Sequence, residues 1–268
     1  MGKFKKLLKA LKIIIRKPYM LNLVIDENEN WKSTVVEKYD LPNGLPQIQL
    51  NELFPNFSEH LESFSFLGGG SLPTDIALLK SLCKKFENTS YFEIGTWRGE
   101  SVFNVANVAK ECFTLNLSKK QIEELGFGKK YADAHFFFSK NLPNVTQLEG
   151  DSRTFNYAAL NKKFDVIFID GNHVYDFVKS DTQKVFEHLI HENSIVVWHD
   201  YAYTPESLRF EVMNAILDGV PKKFHSNLYH VANTMCAIFV RGNFKSNEFV
   251  ALANPKCTYE LNLKVKQF

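Results

Sequence analysis

No apolar run in this 268-residue chain approaches the roughly 20 residues that a bilayer-spanning helix requires, so a membrane-spanning helix is not expected. Cysteine is scarce: Cys83, Cys112, Cys236 and Cys257 include no close pair and no CxxC. That argues against a disulfide framework and a thiolate zinc site, and a reducing cytoplasm is the simplest setting. No signal-peptide cleavage pattern follows the first hydrophobic stretch, which points the same way. The dinucleotide pattern GxGxxG is missing as well, and this disfavours a nicotinamide-dependent oxidoreductase. Acids are absent from residues 1–25, which hold seven basic side chains, leaving 25 basic against 30 acidic residues beyond. A body without a basic excess does not suit nucleic acid.

What is present is 45% hydrophobic content, enough for one large domain with a full core and an appendage. The opening segment places Phe4, Leu7, Leu8, Leu11, Ile14 and Ile15 at steps of three and four, with Lys5, Lys9, Lys12 and Arg16 on the other side. The spacing predicts a basic amphipathic helix within residues 1–25. Its first 17 residues fit peripheral contact with an anionic membrane, or docking on the chain's own body or on a partner subunit in a homo-oligomer. Residues 26–72, with Pro42, Pro46, Pro55 and Gly68 to Gly70, read as an irregular extension. From Pro73 a helix is expected, capped by Thr74 or Asp75.

A strand and helix rhythm begins after Asn88. Strands are predicted at 91–95, 112–117, 145–150, 164–170 and 194–199, with helices at 100–110, 129–142, about 174–192 and about 205–217. The near-continuous apolarity of 166–169 and 195–198 suits central strands buried on both faces of a parallel sheet. NLYHVA and MCAIFVR, parted by Asn233 and Thr234, predict a closing antiparallel hairpin. In the 246–268 tail, Tyr259, Leu261, Leu263 and Val265 alternate with polar residues, as in an edge strand.

The first strand runs into EIGTWRGES, where Gly95 and Gly99 let the backbone approach a ligand in a strand-to-helix turn. Further strands end at Asn116, Asp151, Asp170 and His199 with Asp200. In an open parallel sheet, ligands bind beyond such carboxyl ends. Alone, Asp151 and Asp170 also suit caps of the helices that follow.

With Glu93, Gly95 and Gly99 leading this series, the chain resembles the class I S-adenosylmethionine-dependent methyltransferases over about residues 88–241. The resemblance implies a Rossmann-like, doubly wound, mostly parallel seven-stranded sheet with a C-terminal antiparallel hairpin, in a cofactor-binding domain over 73–245. It implies that Gly95, Thr96, Trp97, Gly99 and Ser101 line the methionine part of the cofactor, with Glu93 orienting its amino group. Asp151 would face the adenine, with Ser152 beside it. Asn116 stands where the family carries a ribose-binding acid, and an amide lacks the charge that strengthens such bonds.

IDGNHVYD and WHDY then bring Asp170, Asn172, His173, His199 and Asp200 to adjacent strand tips. The pattern is similar to the metal-dependent O-methyltransferases of catechols and sugars. Asp170 and Asp200 match that pattern, while His199 and Asn172 stand where acids are common. Three readings stay open: a divalent metal on Asp170, His199 and Asp200; a metal-free base, His173 or His199, oriented by a carboxylate such as Asp170; and a structural His-Asp pair. The expected activity is O-methylation of a hydroxyl on a sugar, glycan or other small metabolite. A noncatalytic cofactor- or partner-binding module is the rival. Acceptor specificity is expected in 26–72 and 201–227.

Overall fold

The computed structural model describes residues 2–23 and 27–267. Helix α1 spans Lys3–Arg16, within the stretch its periodicity predicts. Residues 27–39 are not irregular: they form helix α2 (Glu27–Tyr39), followed by a two-residue strand β1 (Gln47–Ile48) and a single turn, α3 (Leu50–Leu53). The stripe of α2 is thin, carried by Trp31, Val35 and Tyr39 at steps of four, and only Val35 is fully buried. Trp31 stacks on Tyr175 with ring centroids 5.1 Å apart, and Lys38 lies 3.1 Å from Asp218. Specific tertiary partners hold this helix, which is why its weak sequence signal hides it.

Helix α4 (Pro73–Cys83) begins with Pro73 in its first turn. Neither Thr74 nor Asp75 is the N-cap residue; Leu72 is, and Asp75 sits in the third helical position, where its carboxylate accepts the Leu72 N–H at 2.6 Å. Then come β2 (Ser90–Ile94), α5 (Glu100–Ala106), β3 (Glu111–Asn116), α6 (Lys119–Glu124), α7 (Lys129–Ala134), β4 (Val145–Glu149), β5 (Val166–Ile169), α8 (Tyr175–Lys184) and β6 (Ile195–Trp198). The helix expected at 174–192 loses α-geometry at Val185–Leu189, where it closes in a π turn. The helix expected from Pro205 starts later: Ala202–Thr204 (β7) and Ser207–Leu208 (β8) pair as a small hairpin, and α9 is Phe210–Gly219. Strands β9 (Leu228–Val231) and β10 (Ala237–Phe239) complete the set.

One eight-stranded sheet has the order β1-β9-β10-β6-β5-β2-β3-β4, with β10 antiparallel to both neighbours and every other pairing parallel. The sequence suggests seven strands; the eighth is β1, too short to leave a pattern, which pairs Ile48 with Val231. Separate apolar clusters cover the two faces, one including Phe92, Ile167 and Trp198, the other Tyr91, Phe168 and Val197. These residues alternate along each strand, so both faces of β2, β5 and β6 are dry, as their apolarity predicts.

The tail does not add a strand. Asn247 bridges Gln47 in antiparallel fashion, and beyond it Leu261, Leu263 and Val265 are 67, 72 and 90% exposed. Alternation makes a half-buried strand only where an open edge of matching length is offered, and β1 offers two residues. Among the described residues no helix is long and apolar enough to cross a membrane.

Candidate active site

Strand order reverses between β2 and β5: from β2 the chain steps outward through β3 and β4, then returns to β5 and β6 on the other side. The crevice at such a switch point opens beyond the strands' carboxyl ends, here between the 95–99 turn and Asp170. Contact there is tight. Gly95 has φ +87°, and a Cβ added to it would lie 2.1 Å from the Asp170 carbonyl oxygen and 2.6 Å from the Gly171 Cα. Gly99 has φ +83°, and its Cβ would meet the Ser139 hydroxyl at 2.7 Å. Both positions require glycine for backbone conformation and for approach.

Buried polar atoms without a hydrogen-bond partner gather at this turn: Glu93 Oε1, Thr96 Oγ1 and Trp97 Nε1. Such orphans are costly unless a ligand or water completes them. Glu93 is fully buried; burial pushes its pKa up to about 8, with the Tyr91 and Ser101 hydroxyls opposing. Tyr91 donates to Glu93 Oε2 at 2.6 Å, so Oε1 is the free oxygen. A cationic ligand group beside Glu93 would restore its charge, which fits the amino group that the resemblance assigns to it. Ser101 lies in the first turn of α5 and is 7% exposed.

The structure sorts the other expected cofactor residues. The Trp97 ring turns to the protein, 4.5 Å from the Tyr131 ring and 4.8 Å from that of His135 between centroids. Asn116 ends β3 and donates to the adjacent Leu117 carbonyl at 3.1 Å. Asp151 is engaged by Arg153, which donates from its guanidinium at 3.2 and 2.8 Å and holds the carboxyl below its usual range. Ser152 reaches toward Asp181, which is buried on α8 and raised to about 7, chiefly by burial.

Glu93 also makes a stability statement. Its carboxyl is protonated more readily in the fold than in the unfolded chain, where the ordinary value is 4.5. The associated stability is therefore complete below about pH 4.5 and is lost as pH rises toward and through about 8. Glu93→Gln removes that loss, and at pH 8.5 the ligand-free variant is expected to exceed the wild type by on the order of 3 kcal/mol, with little difference at pH 5. Denaturant unfolding at the two pH values checks this; parallel pH dependences in the two proteins would refute it.

At the far side of the crevice, β5 and β6 pair Ile169 with Trp198, which sets Asp170 beside His199. His199 is 7% exposed. Its Nδ1 lies 3.0 Å from Asp170 Oδ1 and 3.4 Å from Asp200 Oδ2, yet it makes no well-directed hydrogen bond to either. Asp200 has φ +54°, a conformation that few residues other than glycine, asparagine and aspartate favour and one often kept at functional positions. That turn also lets Asp200 Oδ2 meet His173 Nδ1 at 3.1 Å. Trp198 and Tyr201 are packing residues: Trp198 Nε1 donates to Thr182 at 2.9 Å, and the Tyr201 hydroxyl accepts the Leu45 N–H at 2.8 Å. His230 is likewise buried in β9, with its pKa pushed down to about 4 by burial.

One site residue escapes the sequence reading. Asp75, fully buried on α4, stands 3.1 Å from His199 Nε2, while its other oxygen accepts the Met235 N–H at 2.8 Å. The only sequence signal for Asp75 is that of a helix-start acid, and nothing local ties it to a histidine on a distant strand. Its consequence is chemical. Asp75 accepts a hydrogen bond from Nε2–H, so Nδ1 is the remaining nitrogen and faces two carboxylates. That arrangement demands positive charge, either a second ring proton or a cation.

Burial alone would lower the His199 pKa; Asp170, Asp200 and Asp75 outweigh it and raise it well above the ordinary value. Burial raises Asp170, with His199 opposing. Burial would also raise Asp200, but the two histidines outweigh it and hold the carboxyl far below its usual range. One ligand atom each from Asp170, His199 and Asp200 lies within 4.8 Å of the others, a nitrogen and oxygen set suited to Mn²⁺, Fe²⁺ or Zn²⁺. The orphaned Nδ1 and the carboxylate behind Nε2 fit a metal-bound histidine with its outer partner.

Residues 92–201, running from β2 to the turn after β6, match the family model described as a methyltransferase domain. The segment that builds the crevice is therefore a methyltransferase domain. No curated protein matches the chain. Among solved structures, it is similar to a TDP-rhamnose 3′-O-methyltransferase of calicheamicin biosynthesis, with 16% identity, 63% of this chain and 80% of that one covered, and a TM-score of 0.45. It is also similar to an S-adenosylhomocysteine-bound methyltransferase of Podospora anserina, with 17% identity, coverage of 65% and 80%, and a TM-score of 0.46. A ribosomal protein L11 methylase of Lactobacillus delbrueckii subsp. bulgaricus follows at 14% identity, 63% and 80% coverage, and a TM-score of 0.39. Likenesses this distant carry nothing about the substrate of this chain.

Proposed function

We propose that this protein transfers the methyl group of S-adenosylmethionine to a hydroxyl of a sugar or other small metabolite, with a divalent cation at Asp170, His199 and Asp200. The observation that carries the proposal is His199 Nδ1, buried between two carboxylates without a directed hydrogen bond while Asp75 occupies Nε2. The cofactor reading is supported by the glycine turn and its orphaned Glu93 and Thr96 atoms, packed against Asp170.

Methyl transfer to a neutral hydroxyl needs in-line placement and removal of a proton. A cation at the three ligands would supply Lewis acidity that lowers the pKa of a bound hydroxyl. His199, held as a cation or as a ligand, is not the free base. His173 suits that role, because it is half-exposed and Asp200 orients it through Nδ1. Asp200 thus serves two histidines at once. The segment ahead of α4 is fastened beside the cofactor turn, with the Ser65 N–H donated to Glu100 at 2.6 Å and Arg98 donating to the Gly68 carbonyl at 3.0 Å. This contact supports a role for part of the 26–72 region in receiving the acceptor.

Two measurements test the reading. Calorimetric titration with S-adenosylhomocysteine is expected to show saturable binding that survives chelation, and no heat at high concentration would remove the cofactor assignment. Labelled S-adenosylmethionine incubated with metabolite extracts should yield methylated product that is lost on chelation and regained with Mn²⁺ or Zn²⁺. His173→Ala should slow that transfer by about 10²–10⁴-fold. Transfer that persists after thorough chelation would remove the metal, and an unimpaired His173→Ala enzyme would remove the base.

A further inference from the structure

Helix α1 is explained by neither the sheet nor the crevice. Its 14 residues carry six basic side chains and no acid, and not one of them is buried. Phe4 is 70% exposed, Leu7 54%, Leu8 51% and Ile15 79%, all on one apolar stripe. A stripe of this kind in contact with water is unfavourable, and an occupant must offer two things together: apolar depth for the stripe and negative charge for its flanks. The chain's own body, with its excess of acids, offers charge, yet among the described residues no side chain of the helix is fully buried against it. A second copy would offer the same acidic body.

From this exposure and charge pattern we propose that α1 lies in the plane of an anionic lipid surface, its stripe in the acyl boundary and its lysines among the headgroups. The geometry of an interfacial helix suits this: 14 residues, too short to span, with one apolar face and a basic face opposite. The acidic excess of residues beyond 25 is itself repelled by such a surface, so the basic helix is the part that makes contact. The attachment would hold the crevice near a membrane without inserting the domain. This inference is independent of the methyl-transfer reading.

The test is sedimentation of the full chain with vesicles of phosphatidylcholine alone or with about 30% phosphatidylglycerol. Binding is expected on the anionic vesicles, and it should weaken roughly five-fold for each lysine neutralised and fall with added salt. The double variant Leu7→Glu, Leu11→Glu should bind about 100-fold more weakly, because it places charge on the stripe, while its affinity for S-adenosylhomocysteine stays that of the wild type. A Phe4→Trp variant should shift its emission to the blue on anionic vesicles only. Failure of the wild type to sediment with anionic vesicles would overturn the proposal, as would equal binding by the double variant. So would self-association that the double variant abolishes, with no vesicle binding, since a second copy would then cover the stripe.

Discussion

Asp200→Asn is expected to reduce methyl transfer by about 10³-fold or more while leaving the affinity for S-adenosylhomocysteine within a few-fold of the wild type. The choice of asparagine matters, because Asp200 sits at φ +54° and asparagine tolerates that conformation, so the turn should be retained. What is lost is charge. The Asp200 carboxylate lies 3.1 Å from His173 Nδ1 and 3.4 Å from His199 Nδ1, and an amide can neither hold a cation as strongly nor stabilise a histidine that takes up a proton. Single-turnover rates, with cofactor affinity measured separately, check the split. A variant that loses cofactor binding and rate together would show that Asp200 supports the fold of the crevice and not its chemistry.

Gly95→Ala should have the largest effect on stability and on cofactor binding together. The added methyl would meet the Asp170 carbonyl at 2.1 Å, so strands β2 and β5 would have to part at the switch point. A left-handed backbone at φ +87° adds its own penalty for any side chain. Together these suggest a loss of about 3–5 kcal/mol, in the range of severe core substitutions. Binding of S-adenosylhomocysteine should disappear even under conditions where the variant remains folded. Thermal unfolding and calorimetry measure the two effects; a wild-type melting temperature would mean that the β2 and β5 tips are not in contact.

The legible parts of this fold were those whose own residues impose a period. VIFI and IVVW read as strands dry on both faces, and they pair with each other in the middle of the sheet. The glycine turn was legible because Gly95 and Gly99 punctuate an apolar strand and a helix. Elements held by distant partners were not. Helix α2 depends on Tyr175 and Asp218 for its contacts, and β1 is two residues that exist only beside β9. The tail shows the converse, since Leu261, Leu263 and Val265 have the alternation of a strand and no edge to join.

The same division runs through the site. Asp170, His199 and Asp200 could be named from sequence because each follows an apolar strand directly, and neighbouring parallel strands carry their tips together. That Nδ1 of His199 faces two carboxylates was decided elsewhere, by Asp75 on α4. Residue order in the chain determined an alternating α/β domain, its glycine turn and the acids at its strand ends, because periodicity and turn chemistry act over a few residues. Tertiary structure decided which nitrogen of His199 is held, how Asp200 is shared with His173, and that among the described residues α1 buries no side chain fully. Those outcomes depend on the direction of side chains brought together from distant parts of the chain, and local sequence does not encode direction.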